Sequence, residues 1–117
     1  MIVNKLSIAA LACSLSGCAV FASKEAVVFC QAADTITTLH ATSLGAREVN
    51  PFVRWLLETT GPGGFIAAKI GVTLLVIQVY PEMSADLVRL VNGVTCTVAA
   101  HNAYVAGQLE KAAQASE

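Results

Sequence analysis

Residues 26–44 read AVVFCQAADTITTLHATSL, and the reading of this stretch decides the fold. Its hydropathy is ambiguous, because Gln31, Asp34, Thr35, Thr37, Thr38, His40 and Thr42 are scattered through it. Helical geometry orders them. At about 100° per residue, Gln31, Asp34, Thr35, Thr38 and Thr42 fall within a sector of roughly 100°, leaving Val27, Val28, Phe29, Ile36 and Leu39 on the remaining face. Such a helix crosses a bilayer only if other helices cover its polar stripe.

Two later stretches supply candidate partners. Residues 90–109 carry no formal charge, and their length suffices for a hydrocarbon core of ~30 Å. Ser84 stands before them as an N-cap, with Asp86 in the first turn. Asn92, Thr95, Cys96, Ala99, Asn102, Ala103 and Ala106 share one narrow face, the small and hydrogen-bonding composition of a membrane helix interface. This helix and the one over 26–44 are expected to pack polar face to polar face, with Asn92 directed at Asp34. The other stretch, 64–80, is bounded by Gly61-Pro62-Gly63-Gly64 and Pro81 and interrupted by Lys69. Ahead of it, Asn50-Pro51 opens a short helix over 52–59, with Arg54 and Trp55 suited to an interface.

The whole chain agrees with a lipid setting. Of 117 residues 56% are hydrophobic and 13% charged, against about 25% charged in soluble domains. A net charge of -1 without a basic block speaks against nucleic-acid binding. The apolar content is mostly small aliphatic, which suits close helix packing in lipid.

The N-terminus resembles an export signal. Lys5 is followed by an apolar run over 6–15 and then by Leu15-Ser16-Gly17-Cys18. A run this short is a signal segment rather than a span. Its last four residues resemble the lipobox of bacterial lipoproteins, which implies a lipid (palmitate among its acyl chains) on Cys18 and cleavage just before it. The expected organisation is a signal peptide over 1–17, a lipid-anchored linker over 18–25, a helical membrane domain over 26–108 and a polar tail over 109–117. The fold class expected is all-α: a membrane helical bundle of three spans, about 26–44, 64–80 and 86–106, after the signal helix, with a short interfacial helix between spans 1 and 2. Lipidation of Cys18 sets the N-terminus on the periplasmic side of a bacterial inner membrane and the C-terminus in the cytoplasm. Arg47, Arg54 and Lys111 then lie inside, while Glu82 and Asp86 lie outside.

Polar residues at membrane depth need a reason. Asp34 lies ~12 Å along its span, where an ionised carboxylate costs at least ~2.5–3.5 kcal/mol. Either it is protonated, or Gln31, Thr35, Thr38 and Asn92 solvate it, or it has a cationic partner. Lys69 falls only ~6 Å from the inner end of its span, close enough to snorkel or to pair with Glu48. Asn50 is expected to cap the helix that starts at Pro51. His40 and His101 lie at equal depth by the same arithmetic. Each sits opposite its helix's polar stripe without further ligands, so no metal and no cofactor is expected. Cys30 and Cys96 come out at different depths and read as small packing residues, not as a disulfide. No catalytic triad context and no phosphate loop is present, and the chain is read as not an enzyme.

The run Ala33-Asp34-Thr35-Ile36-Thr37-Thr38, then Gly45-Ala46-Arg47-Glu48-Val49-Asn50-Pro51, then Lys69 and Ala100-His101-Asn102, resembles a family of small bacterial membrane proteins known as a domain of unknown function. The resemblance covers about residues 30 to 103. It implies Asp34, Glu48, Asn50, Lys69 and Asn102 as a shared polar set, with His101 beside it at the cytoplasmic end, and it implies no activity. This chain departs by its lipobox and by having only three later spans. The expected function is a non-enzymatic accessory or structural membrane component, with the lipid bilayer and a membrane-protein partner or a second copy as partners. Two alternatives stay open: a small transporter or ion- or ligand-binding bundle using Asp34, and a soluble lipid-tethered helical domain.

Overall fold

The structure, a computed structural model, describes residues 19–117, and every regular element among them is helical. A 3-10 turn, Ala19–Ala22, leads into helix α1, Lys24–Ser43. Helix α2 covers Pro51–Val79, a 3-10 turn over Tyr80–Glu82 reverses the chain, and helix α3 covers Ala85–Ala115. The polar tail is therefore helical as far as Ala115. The proposed signal and lipobox, including Cys18, lie outside the described residues. Among the described residues one helix, Pro51–Glu82, is long and apolar enough to cross a membrane by length and composition. The polar stripes of α1 and α3 keep those two below that mark.

Side chains set the helix ends. Ser23 Oγ accepts from the Ala26 N–H at 3.1 Å and opens α1, and Ser84 Oγ accepts from the Leu87 N–H at 3.1 Å and opens α3. Asn50 Oδ1 accepts from the Phe52 and Val53 N–H groups at 2.9 and 3.3 Å, with Pro51 in the first turn where no N–H is needed. Helix α1 stops in a Schellman motif: the Ala46 N–H donates to the Ala41 carbonyl and the Gly45 N–H to the Thr42 carbonyl. Gly45 takes φ 96° there, which a side chain would oppose. The break between the short helix and the apolar span is narrower than the Gly61–Gly64 run suggests. Only Gly61, at φ 71°, ψ -175°, leaves helical geometry, and the chain is helical on both sides.

Along the helices, the hydroxyls of Thr35, Thr37, Thr42, Thr73, Thr95 and Thr97 donate to carbonyls four residues back. Each threonine is thereby satisfied within its own helix and needs no water.

Helices α1 and α3 run parallel and in contact along their length, α2 leans on α1, and α2 barely meets α3. The register of α1 against α3 corrects the sequence reading. Phe21 meets Asn92, Cys30 meets Cys96, Thr38 meets Asn102 and His40 meets Glu110, so partners are 64–71 positions apart. Level span starts, 26 beside 86, put them about 60 apart, so α3 is displaced by about 4–11 residues, a slide of roughly 6–16 Å. The first turns of α3 thus run beside the Ala19–Ala22 turn, and everything on α1 faces a later part of α3 than expected.

Two expectations fall with that slide. Cys30 and Cys96 lie level after all and form a disulfide, with Cα atoms 4.8 Å apart. Asn92 faces not Asp34 but the turn before α1, where its Nδ2 donates to the Phe21 carbonyl at 2.9 Å.

Many large apolar side chains face outward, while a few polar ones are buried beside the small apolar core. Asn92, Thr38 and Gln31 are 1%, 4% and 7% exposed, while Phe29, Ile36 and Leu74 are 69%, 67% and 62% exposed. Along α2 only Phe65 is buried.

Candidate functional site: a polar cleft between α2 and α3

The centre of the site is an ion pair joining α1 to α2. Lys69 Nζ donates to Asp34 Oδ2 at 2.8 Å and to Gln31 Oε1 at 2.5 Å. The two charged side chains are 16% and 18% exposed, Asp34 the less. Both residues lie ten positions, ~15 Å, from the ends of their helices nearest the Tyr80–Glu82 turn. Those ends are fastened together, because Tyr80 Oη donates to the Ala22 carbonyl at 2.6 Å. Antiparallel helices tied at one end and equally deep at Lys69 and Asp34 bring the two charges level. Lys69 therefore neither snorkels to the other end nor pairs with Glu48.

Helix α3 completes the cluster through Asn102. Its Nδ2 donates to Thr38 Oγ1 at 2.9 Å and approaches Asp34 Oδ1 and Thr37 Oγ1 at 3.4 Å. Thr38 Oγ1 also lies 3.5 Å from Asp34 Oδ1. Asn102 occupies the place that sequence reading gave to Asn92, as the register slide requires. Asp34 is held by an ammonium, an amide and a hydroxyl, and the pair is neutral as a unit. A buried pair is tolerable when its remaining lone pairs and protons find partners like these.

Because α2 and α3 diverge, a cleft of about 790 Å³ opens between them, with the cluster in its wall. Val94 and Val98 of α3 and Val53 and Phe65 of α2 make its sides. A straight helix would set Pro51 ~27 Å from Lys69. The break at Gly61 turns the first stretch of α2 back, so that Asn50 and Lys69 line one cavity. Glu48 and His101 line it too, and a smaller cavity of about 90 Å³ adjoins them.

The other sequence candidates fall into place around the cleft. Glu48 Oε1 accepts from the Asn50 N–H at 3.0 Å, a contact within its own loop. His101 faces the cleft, whereas His40 bonds Glu110 at 2.9 Å across α1 and α3. The two histidines are thus not paired. The structure gathers Asp34, Thr38, Lys69, Asn102, Glu48, Asn50 and His101 into one lining, and it leaves Asn92 outside. Gln31, expected to solvate Asp34, instead accepts from Lys69, and Phe65 had no assigned place at this site. Gln31 was legible as part of the polar stripe, but Phe65 carries no signal that separates it from its apolar neighbours.

Fold and site define a small all-helical protein with a cleft of mixed polar and apolar lining between two of its helices. The chain belongs to the family described as Domain of unknown function (DUF5658), whose family model matches residues 26–107. No curated protein and no solved structure matches it.

Proposed function

We propose that this chain is an inner-membrane protein of three spanning helices, anchored by a lipid on Cys18 at the periplasmic face, that binds a ligand in its cleft and performs no chemistry on it. The exposure pattern carries this reading: the amides of Gln31 and Asn92 and the hydroxyl of Thr38 are buried while Phe29, Ile36 and Leu74 are bare. In water that distribution is costly, since each bare apolar side chain forgoes ~1.5–3 kcal/mol of burial. In hydrocarbon it is the stable one, because lipid covers the apolar faces and the polar groups satisfy one another. The apolar helix Pro51–Glu82 is 6% buried across its most hydrophobic window, which supports contact with lipid over the role of a soluble core helix.

Two further observations support the export direction. The disulfide lies toward the end of the bundle where α1 and α3 begin, which is the periplasmic side in this orientation. Disulfides persist in such an oxidising compartment and not in a reducing cytosol. The lipobox points the same way.

Binding is favoured over a purely structural role because the small-residue faces meet each other. Ala99 and Ala106 of α3 are buried against α1, so the faces expected to hold a partner are occupied inside the chain. What stays accessible is the cleft. Two measurements test the reading together. Alkaline carbonate should leave the full chain in the membrane pellet, and a reporter fused after Glu117 should be active only in its cytoplasmic form. Release of the protein into the supernatant would remove the proposal.

A further inference from the structure

The cleft described above has a charge that its own residues leave unmatched. Lys69 and Asp34 cancel at one end, 2.8 Å apart. Glu48 stands toward the loop end, and no lysine, arginine or histidine nitrogen lies within ion-pair distance of it among the described residues. Arg47 borders only the smaller adjoining cavity and makes no ion pair there. Glu48 receives one hydrogen bond, from the Asn50 N–H, and the partial positive charge of the α2 N-terminus beside it. Its second carboxylate oxygen has no donor among the described residues. The remaining lining combines an apolar wall, Val53, Val94 and Val98 among it, with the uncharged polar groups of Asn50, Thr95 and Asn102.

We infer that the cleft is a binding site for a lipophilic organic cation, with the cationic centre against Glu48 and the apolar body between α2 and α3. The inference rests on the membrane reading of the preceding subsection. Volume fits, since about 790 Å³ lies within the ~300–1,000 Å³ of small-molecule sites. Charge selects against the other classes. An anion would meet a lining of net negative charge. A polar neutral solute would meet hydrogen-bonding groups at Asn50, Thr95 and Asn102 but would leave the charge of Glu48 unmatched. A cation with apolar substituents gains a counter-charge at the half-buried Glu48 and buries hydrocarbon along Val94 and Val98. Because α2 and α3 part along the cleft, such a molecule enters sideways from the bilayer, where lipophilic cations concentrate.

The probe is radiolabelled tetraphenylphosphonium, with triphenylphosphine oxide as a neutral competitor. The full-length protein is reconstituted in phosphatidylcholine nanodiscs, whose lipid carries no net charge. Insertion is checked beforehand by carbonate extraction, and the Cys30–Cys96 bond by mass spectrometry. Saturable binding is expected, insensitive to the neutral competitor. Glu48→Gln keeps the Oε1 acceptor for the Asn50 N–H and removes only the charge, and it should weaken binding at least about tenfold, the equivalent of ~1.4 kcal/mol. Val98→Phe should fill the cleft and weaken binding while leaving Glu48 in place. Absence of saturable binding to inserted, disulfide-bonded protein overturns the cation site and leaves the membrane reading intact. Binding that Glu48→Gln and Val98→Phe do not change overturns it equally. A chain that fails carbonate extraction overturns the membrane reading instead.

Discussion

Helices α1 and α3 are joined to each other by specific bonds at every level, while α2, the most apolar of the three, is attached at a few points. The α1–α3 seam carries a disulfide, the Thr38–Asn102 hydrogen bond and the His40–Glu110 contact, and Asn92 fastens α3 to the turn that precedes α1. Helix α2 has Lys69 at its middle, the buried Phe65, and Tyr80 at its end. The Lys24 ammonium, 6.0 Å from the Tyr80 ring centroid, adds a weak contact there. Along α2 most apolar side chains face outward, and polar residues specify which helix meets which, as the proposed lipid setting would require.

This contrast breaks most severely at Lys69. Lys69→Met removes the central attachment of α2 and leaves Asp34 with only an amide at 3.4 Å and a hydroxyl at 3.5 Å. Truncating one partner of a buried pair costs ~3–5 kcal/mol. The melting midpoint in detergent, followed by circular dichroism, should fall accordingly. Adding Asp34→Asn should recover most of the loss, because the uncompensated charge is then gone. A Lys69→Met protein that melts like the wild type would show that α2 is held elsewhere.

The disulfide comes next. Cys30→Ser with Cys96→Ser loosens the seam without touching the contacts of α2, and loss of a native disulfide costs ~2–5 kcal/mol. Reductant should bring the wild type down to the stability of the double variant and leave the variant unmoved. Alkylation mapping should find both cysteines blocked before reduction and reactive afterwards. Free thiols at both positions in native membranes would sink the seam as drawn.

These two features mark how far the sequence could be read. The helix starts at Ser84 and Asn50 were legible because capping depends on a single side chain and the next three amides. The pairing of α1 with α3 was legible because both carry a polar stripe at helical spacing. The register was not. It depends on where each helix begins relative to the other, and the Ala19–Ala22 turn, which holds Asn92, has no signature in composition. One wrong assumption, that helix starts lie level, displaced every cross-helix contact together. It denied the disulfide and gave Asp34 the wrong asparagine; Lys69 was sent toward Glu48 separately, by its place near the inner end of the 64–80 span. The membership of the cleft was more robust, because Asp34, Glu48, Asn50, Lys69 and Asn102 had already been grouped by family resemblance without any geometry.

A sharper test of the register uses double-mutant cycles. Asn102→Ala should cost ~1–2 kcal/mol through its lost hydrogen bonds. Its coupling to Asp34→Asn should be of order 0.5–1 kcal/mol, because the two side chains belong to one network. Asn92→Ala should cost a similar amount, since it strips the Phe21 carbonyl of its donor, yet show coupling to Asp34→Asn near zero. The reverse pattern, with Asn92 coupled and Asn102 not, would restore the level alignment and remove the slide of α3.

The smallest effect is expected on the outward face of α2, and its smallness is the informative part. Leu75 is 59% exposed and touches none of the cleft. Phe65, on the same helix, is 2% exposed. Phe65→Ala should cost ~3–5 kcal/mol by emptying a packed position, whereas Leu75→Ala should stay within about 0.5 kcal/mol in micelles, where detergent replaces the lost methyl groups. The comparison uses one helix and one solvent, so helix propensity and micelle effects largely cancel. If Leu75→Ala instead costs as much as Phe65→Ala, that face is packed against protein. A second copy of the chain then covers it, and the loss should grow with dilution of protein in detergent, since a contact between copies weakens as they separate and one within the chain does not.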